Sequence, residues 1–337
     1  MIKQKTSQQL PSPLVVEVTR GNMVESVHSI HAAVVRYDNK LLKSWGDPEK
    51  IVYARSAIKP LQALPLIESG AADHFGLADH EIALACASHE GEEIHTNAVT
   101  AWLQKIGCSE HDLCCGVHAP YHGDVAEELI RTGRKPSPVH NNCSGKHTGF
   151  LTTAKFYQEE LKGYINYQHP VQQRIVAVLE EMGGISLAEA PKGVDGCGIP
   201  VVGISLRHTA LAMARFANPL DIPIKRQQAI QRITRAIRAN PLMIAGHGRF
   251  CTLVTQQLHD RGFVKVGAEG VYIAVLPKQG LGITLKTVDG AIRAAEMGMI
   301  KILLEVGALT KADYPALEKF LHPIIKNRAG LKVGEIR

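Results

Sequence analysis

The chain has 337 residues, 45% of them apolar and 21% charged, with a formal net charge of +6. That length buries a substantial core without disulfide or metal staples. The even scatter of Lys and Arg excludes the clustered basic surface of a nucleic-acid binder. No window reaches ~18 consecutive apolar residues, so no membrane span is expected. The seven cysteines, Cys86, Cys108, Cys114, Cys115, Cys143, Cys197 and Cys251, are odd in number. They do not read as a disulfide framework and point to a reducing compartment. The opening MIKQKTSQQLPSP lacks an apolar signal core. The expectation is a cytoplasmic protein with a polar tail over residues 1–12 and one domain over 13–337.

In chain order, Leu14–Thr19 is a short apolar-rich run, and Gly21-Asn22 signals a turn. Met23–Tyr37 contains the β-favouring stretch Ile30–Val35. After a second turn at Asp38-Asn39, Leu41–Trp45 resumes strand character. The pattern predicts an antiparallel meander. The middle reads as helical: Lys59–Glu68, Ile94–Ile106, His169–Met182 and Ile224–Ala239, with glycines as stop signals for the first three. Phe263–Val266, Gly270–Leu276 and Leu281–Val288 then read as strands. A long helix follows over Ala291–Val306. Strands at both ends and helices between predict an α/β (α+β) architecture, one antiparallel sheet built from both termini with a helical lobe inserted.

Six constellations carry candidate chemistry. In Arg55-Ser56-Ala57-Ile58-Lys59-Pro60, Ser and Lys stand three apart, on one face of a helix start. A neutral Lys there takes the serine proton. The motif is short and recurs by chance, so a surface Ser and Lys is the plain alternative. Ala87-Ser88-His89-Glu90 offers a second serine, with a helix N-cap as the alternative. His140-Asn141-Asn142-Cys143-Ser144-Gly145-Lys146-His147 and Asp195-Gly196-Cys197-Gly198 place two cysteines in Gly-rich polar segments read as loops, open to metal ligation or to simple burial. Ser144-Gly145-Lys146 lacks the leading Gly and the Ser/Thr of a phosphate loop. Ala245-Gly246-His247-Gly248-Arg249-Phe250 is a polar turn where Arg249 or backbone N–H groups would meet a substrate carboxylate, or a structural loop. Lys265-Val266-Gly267, in a late strand, is similar to the K-[ST]-G strand of serine β-lactamases, or an exposed strand Lys before a turn.

Taken together, and with Val16-Glu17-Val18-Thr19-Arg20-Gly21 and Gly267-Ala268-Glu269-Gly270, these segments resemble the rhizobial-type (class 3) L-asparaginases over about Pro13 to Glu296. The resemblance implies a serine β-lactamase/glutaminase-like fold, a homodimer and hydrolysis of L-asparagine to L-aspartate and ammonia. It implies two Ser-Lys tandems, Ser56 with Lys59 and Ser88 with Lys265. It implies zinc held by Cys143, Lys146 and Cys197, with Asp195 beside it. Arg55, Asn142, Asp195, His247, Arg249 and Ala268 are the expected substrate contacts, and the Ser56 and Ala268 amides the expected oxyanion donors by analogy with β-lactamases. Lys59 must be neutral to act as base, so burial and a nearby cation should lower its pKa. Two rivals remain: a glutaminase or other serine amidase on the same scaffold, and a non-catalytic zinc- or amino-acid-binding relative.

Overall fold

The computed structural model describes residues 10–337; the expected N-terminal tail lies outside the described residues as far as residue 9. Leu14–Arg20 (β1) and Met23–Arg36 (β2) form an antiparallel hairpin, and Leu41–Trp45 (β3) returns along the second half of β2. Three short strands follow, Ile51–Tyr53 (β4), Lys192–Val194 (β5) and Pro200–Ser205 (β6), paired in the order β4-β6-β5. Phe263–Gly267 (β7), Val271–Leu276 (β8) and Leu281–Thr287 (β9) complete the main sheet, ordered β1-β2-β9-β8-β7 with β3 beside β2. The two ends of the chain thus meet along the β2–β9 ladder, as expected.

The side-chain period of two sorts β2 between two layers. Ile30, Ala32 and Val34 belong to the large core, whereas Ala33 and Val35 pack with Leu206, Ala210 and Leu211. Helix Ile292–Glu305 covers the first face and helix Leu206–Ala217 the second. Gly282 permits the second contact: a methyl group there would stand 2.0 Å from the Ala210 carbonyl oxygen. Every side chain of β8 is buried, and each large aliphatic one contributes roughly 1.5–3 kcal/mol.

The helix expected over Lys59–Glu68 is two pieces, Lys59–Gln62 and Leu64–Glu68. Pro65 has no N–H to continue the ladder. Three other lobe helices form within a residue or so of expectation, Glu93–Lys105, Pro170–Gly183 and Ile224–Ala239. The helix Ser144–Phe156 departs from expectation, because this segment reads as a polar loop. Residues 144–154 are all buried. Thr148, Thr152 and Thr153 satisfy their hydroxyls on the carbonyls four residues back. Gly145 lies against Leu84, whose carbonyl oxygen would be 2.4 Å from an added methyl. Buried on every side, the helix needs no amphipathic pattern, so periodicity does not reveal it.

Candidate active site

The small sheet assembles half of the site. Strand β4 runs directly into a 3-10 turn, Arg55–Ile58, that carries Ser56. Because β4 pairs with β6, the β5–β6 hairpin loop, with Asp195 and Cys197, stands beside that turn. Arg55 has a left-handed backbone, φ +49°, which costs a residue with a Cβ about 1–2 kcal/mol. Its guanidinium is tied to Asp195 Oδ1 through Nε at 3.0 Å and Nη2 at 2.6 Å. The Gly196 amide donates to the same oxygen at 2.6 Å. Burial alone would raise the Asp195 carboxyl; hydrogen bonds and charge from Arg55, aided by Lys146, outweigh it and hold it below its usual pKa.

Strand β7 supplies the other half. A methyl on Gly267 would come within 2.5 Å of the Ala54 carbonyl oxygen, so the glycine lets the strand press on the Ser56 turn. Two positions earlier, on the same face, Lys265 is buried. Its Nζ donates to Ser88 Oγ at 2.7 Å and to Val266 O at 2.8 Å. Lys59, also buried, donates to Ser88 Oγ at 3.1 Å, to Cys143 Sγ at 3.2 Å and to the Ala87 carbonyl. Both amines therefore converge on one hydroxyl. Burial drives Lys265 down to about 7, assisted by the charge of Lys59, and burial likewise lowers Lys59. Ser56 makes no side-chain hydrogen bond among the described residues, and Lys59 turns its amine to Ser88 instead. The backbone amides of Ser56 and Ala268 also donate to no other group among the described residues.

A cavity of about 360 Å³ joins these parts, within the usual size of a small-molecule site. Of the expected residues, Arg55, Ser56, Ser88, Asn142, Cys143, Asp195, Cys197, Arg249 and Ala268 line it. Lys59, Lys146 and Lys265 lie behind the wall, in contact with residues that line it. His247 does not line the cavity. Its amide and its ring Nδ1 engage the Glu92 carboxylate at 2.9 and 2.5 Å, which braces the loop. A larger open groove of about 1370 Å³ lies elsewhere, between Ile94, Phe216, Arg238 and Pro277. It contains none of this chemistry.

Sequence reasoning missed Glu90 and His118, which also line the cavity. Glu90 lay within a quoted motif, two residues after Ser88. His118 had no signal, and comes into place because the Asn142 amide donates to its Nε2 at 2.9 Å.

At the cavity wall, Cys143 precedes the first turn of helix Ser144–Phe156 and Lys146 lies within it. Lys146 Nζ donates to Cys197 Sγ at 3.0 Å. A hydrogen bond from the Cys197 thiol, with the Lys146 and Lys59 amines, holds Cys143 well below the usual thiol pKa. Burial disfavours the Lys146 ammonium, but the sulfurs Cys143 and Cys197 outweigh it and hold its pKa up. The two sulfurs and the Lys146 side chain lie together at this wall; with the ammonium deprotonated they would make a donor set suited to a thiophilic ion such as zinc. Among the described residues no group of three His, Cys, Asp or Glu side chains is placed to hold a metal; this set reaches three only by including lysine.

The Ser88 hydroxyl, held by two buried amines, stands with Ser56 and unengaged backbone amides at one small cavity. The L-asparaginase II family model matches residues 16–337, and the chain belongs to that family of amidohydrolases. No curated protein sequence matches the chain. In overall structure it is similar to a β-lactamase from Mycobacterium bovis, with TM-score 0.42 and 13% identity over 83% of this chain and 95% of that one. It is also similar to a D-alanine carboxypeptidase from Burkholderia cenocepacia, with TM-score 0.38 and 13% identity over 79% and 91%. A structure of Mglu with Tris and glutamate has TM-score 0.38 and 13% identity over 83% and 59%. No helix among the described residues is long and apolar enough to cross a membrane.

Proposed function

We propose that the chain hydrolyses the side-chain amide of L-asparagine to L-aspartate and ammonia, as a cytoplasmic homodimer. The observation that carries this reading is the Ser88 hydroxyl held between two buried, pKa-lowered lysine amines, beside a second serine that faces the cavity. Ser56 Oγ attacks the amide carbon, and neutral Lys59, turning from Ser88, takes its proton. The unengaged Ser56 and Ala268 amides receive the oxyanion. Lys59 returns that proton through Ser88, whose hydroxyl passes one to the departing ammonia while neutral Lys265 holds Ser88 in place. Water then repeats the sequence and releases aspartate. A second reading has its own support: Ser88, not Ser56, is the hydroxyl already bonded to both amines, and would then be the acylated residue. Mass spectrometry of acid-quenched turnover, mapping the acylated peptide, separates the two.

Cys143, Lys146 and Cys197 are proposed to hold zinc. When bound, the ion supplies positive charge that orients a substrate oxygen at the wall. The chain's own Ser and Lys groups already provide nucleophile and base. Ammonia release from L-asparagine, beside L-glutamine and nitrocefin, tests the reading. Asparagine is expected to be turned over fastest, because a site built for one chain length leaves polar groups unpaired with another. Glutamine turnover as fast or faster favours a glutaminase, nitrocefin turnover favours a β-lactamase, and no turnover of any of them favours a binding protein.

A further inference from the structure

The cavity holds two acidic side chains of different standing. Asp195 is saturated by Arg55 and the Gly196 amide. Glu90 is not. Its side chain is 9% exposed and lines the cavity. Among the described residues no hydrogen bond reaches its carboxylate, and its one ionic contact is Arg249 Nη1 at 3.3 Å.

The backbone fixes Glu90 firmly. Its amide donates to Ala245 O at 2.9 Å and its carbonyl accepts from His122 at 3.1 Å. Ser88, two residues earlier, is pinned in the same way to Ile244 O. Gly246, at φ +126°, lets the 245–249 loop close over the segment; a methyl there would lie 2.2 Å from Glu92 Oε1 and 3.1 Å from Glu90 Cγ. Glu92 is spent on His247, so the loop is braced without Glu90. A buried carboxylate left with an incomplete shell is unfavourable by itself. Burial raises the Glu90 carboxyl above its usual pKa, and Arg249 only partly offsets this.

Besides the two carboxylates, the charged side chains that line the cavity are the cations Arg55 and Arg249. They suit a carboxylate and a developing oxyanion. A free α-amino acid also brings an ammonium group, and it needs an anion within reach of the reacting amide. We propose that Glu90 binds the substrate α-ammonium, with Arg249 at its side receiving the α-carboxylate, so that this pair selects free α-amino acids over simple amides. The proposal rests on the asparaginase reading for its substrate, but it is a statement about ligand recognition and is tested by binding.

The probes are L-aspartate and succinate, which share a carbon chain and differ in the amine. Calorimetric titration of the wild-type protein should give L-aspartate at least tenfold tighter binding, the worth of a charge-assisted hydrogen bond. Glu90→Gln keeps shape and removes charge; it should abolish that preference while leaving succinate affinity within about threefold. A wild-type protein without the preference overturns the proposal, with no variant needed. So does a Glu90→Gln protein that folds and keeps the preference, or one that loses both ligands equally, as a purely structural brace would. Ammonia release is measured alongside. Aspartate selectivity lost in Glu90→Gln, in a protein that never hydrolyses asparagine, sinks the proposed reaction and keeps the Glu90 assignment. Hydrolysis with selectivity unchanged in the variant does the reverse.

Discussion

Replacing Lys265 by methionine should abolish activity and stabilise the fold at neutral pH, an advantage that vanishes or reverses as the pH rises. The Lys265 pKa falls from its usual 10.5 to about 7 on burial. Between those values the unfolded chain holds the proton and the folded one does not, so stability rises with pH across that window and falls as pH drops from 10.5 towards 7. Below 7 both states are protonated and the penalty is constant. At ~1.36 kcal/mol per pKa unit, the penalty at pH 7 is on the order of 4 kcal/mol, and at pH 9.5 only about 1.4 kcal/mol. Methionine fills the same buried volume without a charge. It also loses the bonds to Ser88 Oγ and Val266 O, a pH-independent loss of about 1–3 kcal/mol. The stability of the variant relative to wild type should therefore fall by roughly 3 kcal/mol from pH 7 to 9.5, other titrations being common to both. Urea denaturation followed by circular dichroism at the two pH values measures it. A difference that stays constant would refute the claim that burial lowers the Lys265 pKa, and with it the supply of a neutral amine beside Ser88 near neutral pH.

Gly267→Ala should separate β7 from the Ser56 turn, because the new methyl meets the Ala54 carbonyl at 2.5 Å. A stability loss of about 1–3 kcal/mol, with a larger proportional fall in kcat/KM, is expected in melting and ammonia-release assays. Ser56→Ala, Ser88→Ala and Lys59→Ala should each remove most turnover while leaving the fold intact by circular dichroism. The Ser56/Ser88 double variant should be little worse than the poorer single, since residues acting as one unit are not additive; near-wild-type turnover in any single removes that residue from the mechanism. Zinc measured by elemental analysis should be stoichiometric in the wild type and lost in Cys143→Ala. Chelation should raise KM more than it lowers kcat, whereas a protein purified without bound zinc ends the metal assignment.

Much of the scaffold is legible in the residues themselves. The strand alternation of Leu14–Trp45, the late β-rich runs and the glycine-stopped helices are local signals, and a sheet from both ends of the chain follows from their order. Ser56 with Lys59 is local as well, three residues apart. The partnership within the site is not. Lys59 Nζ is bonded to Ser88 rather than to Ser56, because a buried amine settles on whichever acceptors the packing brings near, and sequence spacing does not encode packing. Helix Ser144–Phe156 stayed hidden since burial on all sides erases periodicity, although Cys143 and Lys146 owe their positions to it. Asp195 and Cys197 reach the Ser56 turn only through the β4–β6 pairing. His247 resembled a ligand contact in a polar turn, but the buried carboxylate of Glu92 claims it. Residue types and their local order determined which chemistry was on hand. Tertiary structure decided which groups meet, which of them lose water, and so which amines have their pKa lowered.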